Sequence, residues 1–154
     1  MMKRLLVLAH APSPNTIAMR NAIEEGASNY DTQDVDIVVK GPLEANPEDI
    51  LSSDALILGT TENLGYMSGA LKDFFDRSYY PLLDKTQGLP YALYIRAGLD
   101  GTGTRHAVES IATGLKWRAV QEPLLCRGKY SDDFLIDCHN LGMVMCAGLE
   151  AGIF

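Results

Sequence analysis

The stretch Thr60-Thr61-Glu62-Asn63-Leu64-Gly65-Tyr66-Met67-Ser68-Gly69-Ala70-Leu71-Lys72-Asp73-Phe74-Phe75-Asp76-Arg77-Ser78 decides how this chain folds. It follows the apolar run Ala55-Leu56-Ile57-Leu58-Gly59, which reads as a buried strand. A polar, glycine-bearing loop comes next, and then a helical pattern. Met67, Ala70, Leu71, Phe74, Phe75 and Tyr79 fall on one face at helical spacing, with Lys72, Asp73, Asp76 and Arg77 facing outward. Pro81 is predicted to stop this helix, because it lacks the N–H that a further turn needs.

Working outward, strand and helix alternate five times, the pattern of a parallel sheet covered on both faces. Strands are predicted at Leu5 to Ala9, Val35 to Val39, Ala55 to Gly59, Tyr91 to Ile95 or Arg96, and Ala119 to Cys126. The first helix is predicted to begin at Asn15 or Thr16, either a good N-cap. Its apolar positions are Met19, Ala22, Ile23, Gly26, Ala27 and Tyr30. A turn at Gly41-Pro42 precedes a short helix starting at Pro47 behind Asn46 and carrying Ile50 and Leu51. The fourth helix is expected from Thr104 to Trp117, with Ala107, Val108, Ile111 and Leu115 inward. The last is expected to start at Ser131-Asp132-Asp133, whose side chains cap it and complement its dipole.

Edge chemistry orders the strands. Pro123 cannot donate to a ladder and belongs at an edge or bulge. Asp36 inside strand two also marks an edge. Strands one, three and four are more continuously apolar, as central parallel strands are. The expected architecture is therefore α/β: a three-layer, doubly wound, five-stranded parallel sheet of order 2-1-3-4-5. A chain of 154 residues, 47% hydrophobic, fits one domain over 1–154 without metals or disulfides.

Composition excludes some functions. A net charge of −7 with no basic run argues against a nucleic-acid partner. No segment approaches the roughly 20 apolar residues of a membrane span. Met1-Met2-Lys3-Arg4-Leu5-Leu6 faintly resembles a signal peptide but reads better as a first buried strand, since the apolar run ends at His10-Ala11-Pro12. Cys126, Cys138 and Cys146 form no Cys-x-x-Cys pair; they are expected as reduced thiols in the core of a cytoplasmic protein. His10, His106 and Cys138-His139 are scattered, so no metal site is expected, and no Cys–His nucleophile pair either.

In an order of 2-1-3-4-5 the loops after strands one, three and four converge on one crevice. The first, His10-Ala11-Pro12-Ser13-Pro14-Asn15-Thr16, enters a helix whose free N–H groups favour an anion, with Ser13, Asn15 and Thr16 as added donors. The same three residues would also serve simply as caps. In the second, Gly65 lets backbone approach a planar ligand, and Asn63, Leu64, Tyr66 and Met67 supply contacts, although Met67 would fit the core equally well. The Glu62 side chain is expected to point to solvent, leaving its N–H as the useful group. In the third, Arg96-Ala97-Gly98-Leu99-Asp100-Gly101-Thr102-Gly103-Thr104, three glycines imply backbone moulded around something flat, or a mobile loop. Arg96 would place positive charge there or pair with Asp100. His106 is expected as a solvated helix residue.

The motif His-x-Pro-Ser-Pro-Asn-Thr resembles the phosphate loop of NADPH-dependent FMN reductases and related quinone reductases in the flavodoxin-like superfamily. Glu62-Asn63-Leu64-Gly65-Tyr66-Met67-Ser68-Gly69-Ala70-Leu71-Lys72 is similar to their second loop and following helix, and the glycine-rich third loop fits as well. The resemblance implies FMN, with its phosphate at Ser13, Asn15 and Thr16. The ring would lie between Asn63, Leu64, Gly65, Tyr66 and Met67 on one side and Ala97, Gly98, Gly101, Thr102 and Gly103 on the other, with His10, Thr61, Glu62 and Arg96 as further cofactor-binding positions. It also implies electron transfer from NAD(P)H to a quinone, a similar small acceptor or a redox protein. No side chain need act as acid or base, and the same resemblance implies a homodimer or homotetramer. The Thr-x-Thr-Gly-x-Thr loop of short electron-carrier flavodoxins is absent, and the third loop lacks their aromatic. Two other readings stay open: a flavodoxin-type electron carrier without NAD(P)H turnover, and a regulatory flavodoxin-like domain without flavin.

Overall fold

The computed structural model describes residues 2–29 and 34–154, so Tyr30, expected on the first helix, lies outside the described residues. β1 (Lys3–Ala9), β2 (Val35–Lys40), β3 (Ala55–Asn63) and β5 (Pro90–Ala97) form a parallel sheet in spatial order β2-β1-β3-β5. β6 (Arg118–Ala119) and β7 (Leu124–Arg127) both run parallel to β5. They are the two halves of the expected fifth strand, and the expected order holds. Gln121-Glu122-Pro123 leave the ladder between them, as a residue without an N–H requires of an edge strand. β2, at the opposite edge, is half-buried along its whole length.

Two cores fill the faces of the sheet. On one, Leu6, Leu8, Leu56, Leu58, Leu93 and Ile95 pack under α2 (Pro47–Leu51), α3 (Gly69–Leu82) and α4 (Thr102–Gly114). On the other, Leu5, Val7, Ile57, Ala92 and Tyr94 pack under α1 (Pro14–Asn29) and α5 (Asp133–Glu150). The three cysteines are buried and unpaired on this second face. α1 and α5 cross at glycines: a Cβ on Gly26 would overlap the His139 carbonyl, and one on Gly142 the Ile23 carbonyl. That close approach brings the two backbones together over the sheet.

Several boundaries differ from the expectations, each for a local reason. α1 starts at Pro14 because Ser13 is its cap: the Ser13 hydroxyl accepts from Thr16 N at 3.2 Å, and Ser13 N donates to Thr16 Oγ1 at 2.9 Å. This reciprocal pair is a capping box with threonine in the distal position. α3 starts at Gly69 behind Ser68, whose hydroxyl accepts from Leu71 N at 3.1 Å. Pro81 does not stop α3 but sits inside its last turn, with the helix ending at Leu82. α4 begins at Thr102, two residues early, and ends at Gly114. Lys116 turns left-handed there (φ 62°), Lys116 N donates to Thr113 O and Trp117 N to Ala112 O. That is the Schellman termination, and it excludes Trp117 from the helix. At α5 the Ser131 hydroxyl accepts from Asp133 N at 3.1 Å, while Asp132 makes no side-chain cap bond.

Candidate functional site

β3 does not end at Gly59. It runs four residues further, to Asn63, and folds back on the two-residue β4 (Tyr66–Met67), with Glu62 opposite Met67 and Asn63 opposite Tyr66. The expected second loop is therefore a tight β-hairpin. Its two turn residues both have positive φ, Leu64 at 54° and Gly65 at 75°, as a type I′ turn requires. Glycine suits that geometry; leucine does not. Leu64 nevertheless stands there fully exposed, with Tyr66 also exposed beside it.

The hairpin stands on buried hydroxyls. Ser68 N donates to Thr60 Oγ1 at 3.0 Å, and Thr60 Oγ1 donates to Thr61 O at 2.9 Å. The Thr61 hydroxyl itself is buried and makes no hydrogen bond. Met67 is buried in the core under α3 rather than facing a ligand.

The tip of β1 lies alongside. Ala9 pairs with Gly59, and His10 N donates to Gly59 O at 3.0 Å. Burial lowers the His10 pKa below the usual imidazole value. Ser13 and Thr16 are bonded to each other, hydroxyl to hydroxyl at 2.8 Å, and Thr16 Oγ1 also lies 3.0 Å from Ser13 O. The capping role is thus realised by Ser13 and Thr16, and Asn15 is exposed behind them.

The third loop meets the hairpin directly. Glu62 does not point to solvent: its carboxylate accepts from Leu99 N and Gly101 N, both at 2.9 Å. Gly103, in the first turn of α4, touches the Gly65 carbonyl so closely that a Cβ would overlap it. The buried Thr104 hydroxyl donates to Tyr66 O at 3.0 Å. Thr102 N donates to Asp100 Oδ1 at 3.0 Å, and hydrogen bonds from Thr102 hold the Asp100 carboxyl below the usual carboxylate range. Gly98, Leu99 and Asp100 are exposed, and Arg127 Nε holds the Asp100 carbonyl at 2.7 Å from β7.

Arg96 and Ala97 depart from their expected places. Arg96 Nη1 donates to Ala97 O at 2.8 Å and Cys126 O at 3.1 Å, and its guanidinium lies 5.2 Å from the Phe134 ring centroid and 5.9 Å from that of Tyr130. Strand alternation explains this: Tyr94 and Arg96 face α5, while Ile95 and Ala97 face α4. The positive charge is therefore spent on β7 and α5 and makes no ion pair with Asp100 among the described residues. The Ala97 side chain is wholly buried, and its carbonyl also accepts from Gly128 N.

Thus His10, Ser13 and Thr16 at one tip, Thr61 to Tyr66 at the second, and Gly98 to Gly103 at the third occupy one end of the sheet. Thr104 and Arg127 brace the site and were not expected. Thr104 has the signal of a hydroxyl on the buried face of α4; Arg127 has none, since it arrives from a different strand. Among the described residues, no three His, Cys, Asp or Glu side chains gather as a metal would need, and no helix is long and apolar enough to cross a membrane.

No family model matches the sequence. A flavodoxin of Aquifex aeolicus is 32% identical over 114 residues, 74% of this chain and 60% of that protein, so the chain spans about 60% of the length of this relative. Among solved structures, a flavodoxin from the domain Archaea superposes with a TM-score of 0.80 at 20% identity, over 96% of this chain and 99% of its own. The solution structure of two-electron reduced Megasphaera elsdenii flavodoxin gives 0.74 at 16% identity, over 93% and 98%. A WrbA-like flavodoxin from Agrobacterium tumefaciens gives 0.71 at 17% identity, over 98% and 99%. With its strand order, its two helical layers and these superpositions, the chain has the flavodoxin-like fold.

Proposed function

We propose that the chain, as one domain, binds FMN at these three strand tips and works as an oxidoreductase, passing electrons from NAD(P)H to a quinone or similar acceptor. The observation that carries the reading is the hairpin tip, where Leu64 and Tyr66 stand exposed beside the third loop. Exposed apolar side chains at that spot are the surface a planar ring would cover, and the start of α1 adds N–H groups and dipole for a phosphate. At the start of α1 the donors are backbone amides and the Asn15 side chain, all neutral, which suits an anionic phosphate on a protein of net charge −7; the Glu62 carboxylate lies at the other two tips.

When bound, the flavin supplies the redox chemistry. The residues bind, orient and shield it. Asn15 and the first turn of α1 hold the phosphate, and the Ser13–Thr16 pair fixes that turn. Leu64 and Tyr66 cover one side of the ring, and the Gly98–Gly103 backbone borders the other. The third loop offers no aromatic, leaving one ring face open to a nicotinamide. A cytoplasmic location belongs to the proposal, as does self-association into a dimer or tetramer.

Tyr66→Ala tests the reading. Removing the exposed ring leaves the flavin-free fold intact, yet weakens FMN binding severalfold in a fluorescence titration. Unchanged FMN affinity would remove Tyr66 from the site. A second reading, an electron carrier without NAD(P)H turnover, is favoured by the likeness to the Aquifex flavodoxin and by the acidic surface, which would steer basic partners. Anaerobic addition of NADPH or NADH to the FMN-loaded protein separates the two. Bleaching within a turnover time supports the oxidoreductase; a colour that persists until a chemical reductant is added supports the carrier.

A further inference from the structure

Residues 98–100 are exposed, so no buried side chain holds them in place. Besides the local bond from Thr102 N to the Asp100 carboxylate, two longer-range ties among the described residues fix them to the rest of the molecule. Arg127 grips the Asp100 carbonyl from outside. Glu62 grips from inside, one carboxylate oxygen on Leu99 N and the other on Gly101 N, each at 2.9 Å. Gly101 is buried and left-handed (φ 71°) at the start of α4, where an anion is favoured by the helix dipole. Thr104 and Gly103 bind α4 to the hairpin but leave 98–100 untouched. The inner side of this loop therefore depends on one carboxylate.

We infer that Glu62 is the positioning residue of the site: it holds the third loop against the hairpin before any ligand arrives, so the slot between them is formed in advance. This rests on the FMN reading for its ligand but not for its mechanics. A loop fixed beforehand loses less freedom on binding, and the ligand then binds more tightly through the same contacts. The alternative is that the carboxylate blocks amides a ligand needs. The two make opposite predictions.

The experiment compares wild type with Glu62→Ala, Glu62→Gln and Glu62→Asp. Amide hydrogen exchange at Leu99 and Gly101, read by NMR without FMN, is expected to speed up roughly tenfold or more in Glu62→Ala. Aspartate keeps the charge but is one methylene too short to span both amides, and should match alanine. Glutamine keeps one acceptor and should fall between. FMN affinity, titrated on the same four proteins, should fall in the same order. Unchanged exchange in Glu62→Ala, wild-type behaviour of Glu62→Asp, or tighter FMN binding by Glu62→Ala would each overturn the inference. If wild type binds no FMN, the proposed function fails, and the exchange rates still decide whether Glu62 holds the loop.

Discussion

Leu64→Asn is a perturbation whose two effects have opposite signs. In wild type Leu64 takes φ 54° at the tip of the hairpin and is fully exposed. An L-residue in the left-handed region carries a penalty of roughly 1–2 kcal/mol. No burial offsets it, since the side chain touches water on all sides. Asparagine is the residue a type I′ turn prefers at this position, ahead of the glycine that already follows as Gly65. Replacing leucine therefore relieves most of the strain and loses no packing, for a net gain of about 1 kcal/mol in the flavin-free protein. In a chain of this size that raises Tm by roughly 2–4 °C. Leu64→Gly relieves the same strain but adds disorder to the unfolded chain, so it should be nearly neutral. If Leu64 covers a ligand ring, losing its partial burial costs about 1 kcal/mol of binding, a roughly fivefold weaker FMN dissociation constant. The assay is denaturant unfolding of the flavin-free proteins, followed by FMN titration of each. No gain in stability for Leu64→Asn would mean the turn is unstrained. A gain in stability with unchanged affinity would leave the exposed leucine without its proposed role.

Other substitutions test the rest of the account. The Tyr94 hydroxyl is buried without a partner, and burial pushes its pKa up; Tyr94→Phe should stabilise by roughly 1 kcal/mol in urea unfolding, and a loss would show that the hydroxyl has a partner in solution. Gly142→Ala forces a Cβ into the Ile23 carbonyl where α5 crosses α1; it should cost about 3 kcal/mol, and a cost below ~1 kcal/mol would mean the helices slide apart easily. Asp49 completes the α2 capping box by accepting from Asn46 N at 2.9 Å, and it pairs with Lys40 at 2.7 Å. Burial opposes its ionisation, but the hydrogen bonds from Lys40 and Asn46 and the charges of Lys40 and Arg4 outweigh this and hold its pKa below 3.8. A folded pKa below the unfolded one gives stability that is fully present above pH 3.8 and lost as pH falls through the folded value. Denaturant unfolding between pH 6 and 3 should therefore show wild type losing stability more steeply than Asp49→Asn at the acid end, and parallel curves would contradict it.

The sheet was readable from the sequence because its order follows from local chemistry. Pro123 and Asp36 marked the two edges, and the split of the last strand falls at the residue that cannot donate. The hairpin was not readable, since Thr60 to Asn63 are polar and Leu64-Gly65 is a poor match to the Asn-Gly signal of a tight turn. Their extended pairing is held by the Thr60 hydroxyl, bonded to Thr61 O and Ser68 N, and by the Thr104 hydroxyl on Tyr66 O, 38 positions away. Gly101-Thr102-Gly103 read as loop because glycine is a weak helix former; Gly103 is needed instead for its approach to Gly65. Glu62 was assigned to solvent because its partners are 37 and 39 positions away. Arg96 and Ala97 were placed in the loop by proximity, whereas strand alternation turned their side chains elsewhere.

Titration of the flavin-free protein with FMN, followed by quenching of flavin fluorescence, is the most direct measurement. Saturable quenching at one FMN per chain, weakened in Tyr66→Ala, is the predicted result. Fluorescence that stays that of free FMN at every protein concentration would contradict the placement of a flavin at these strand tips.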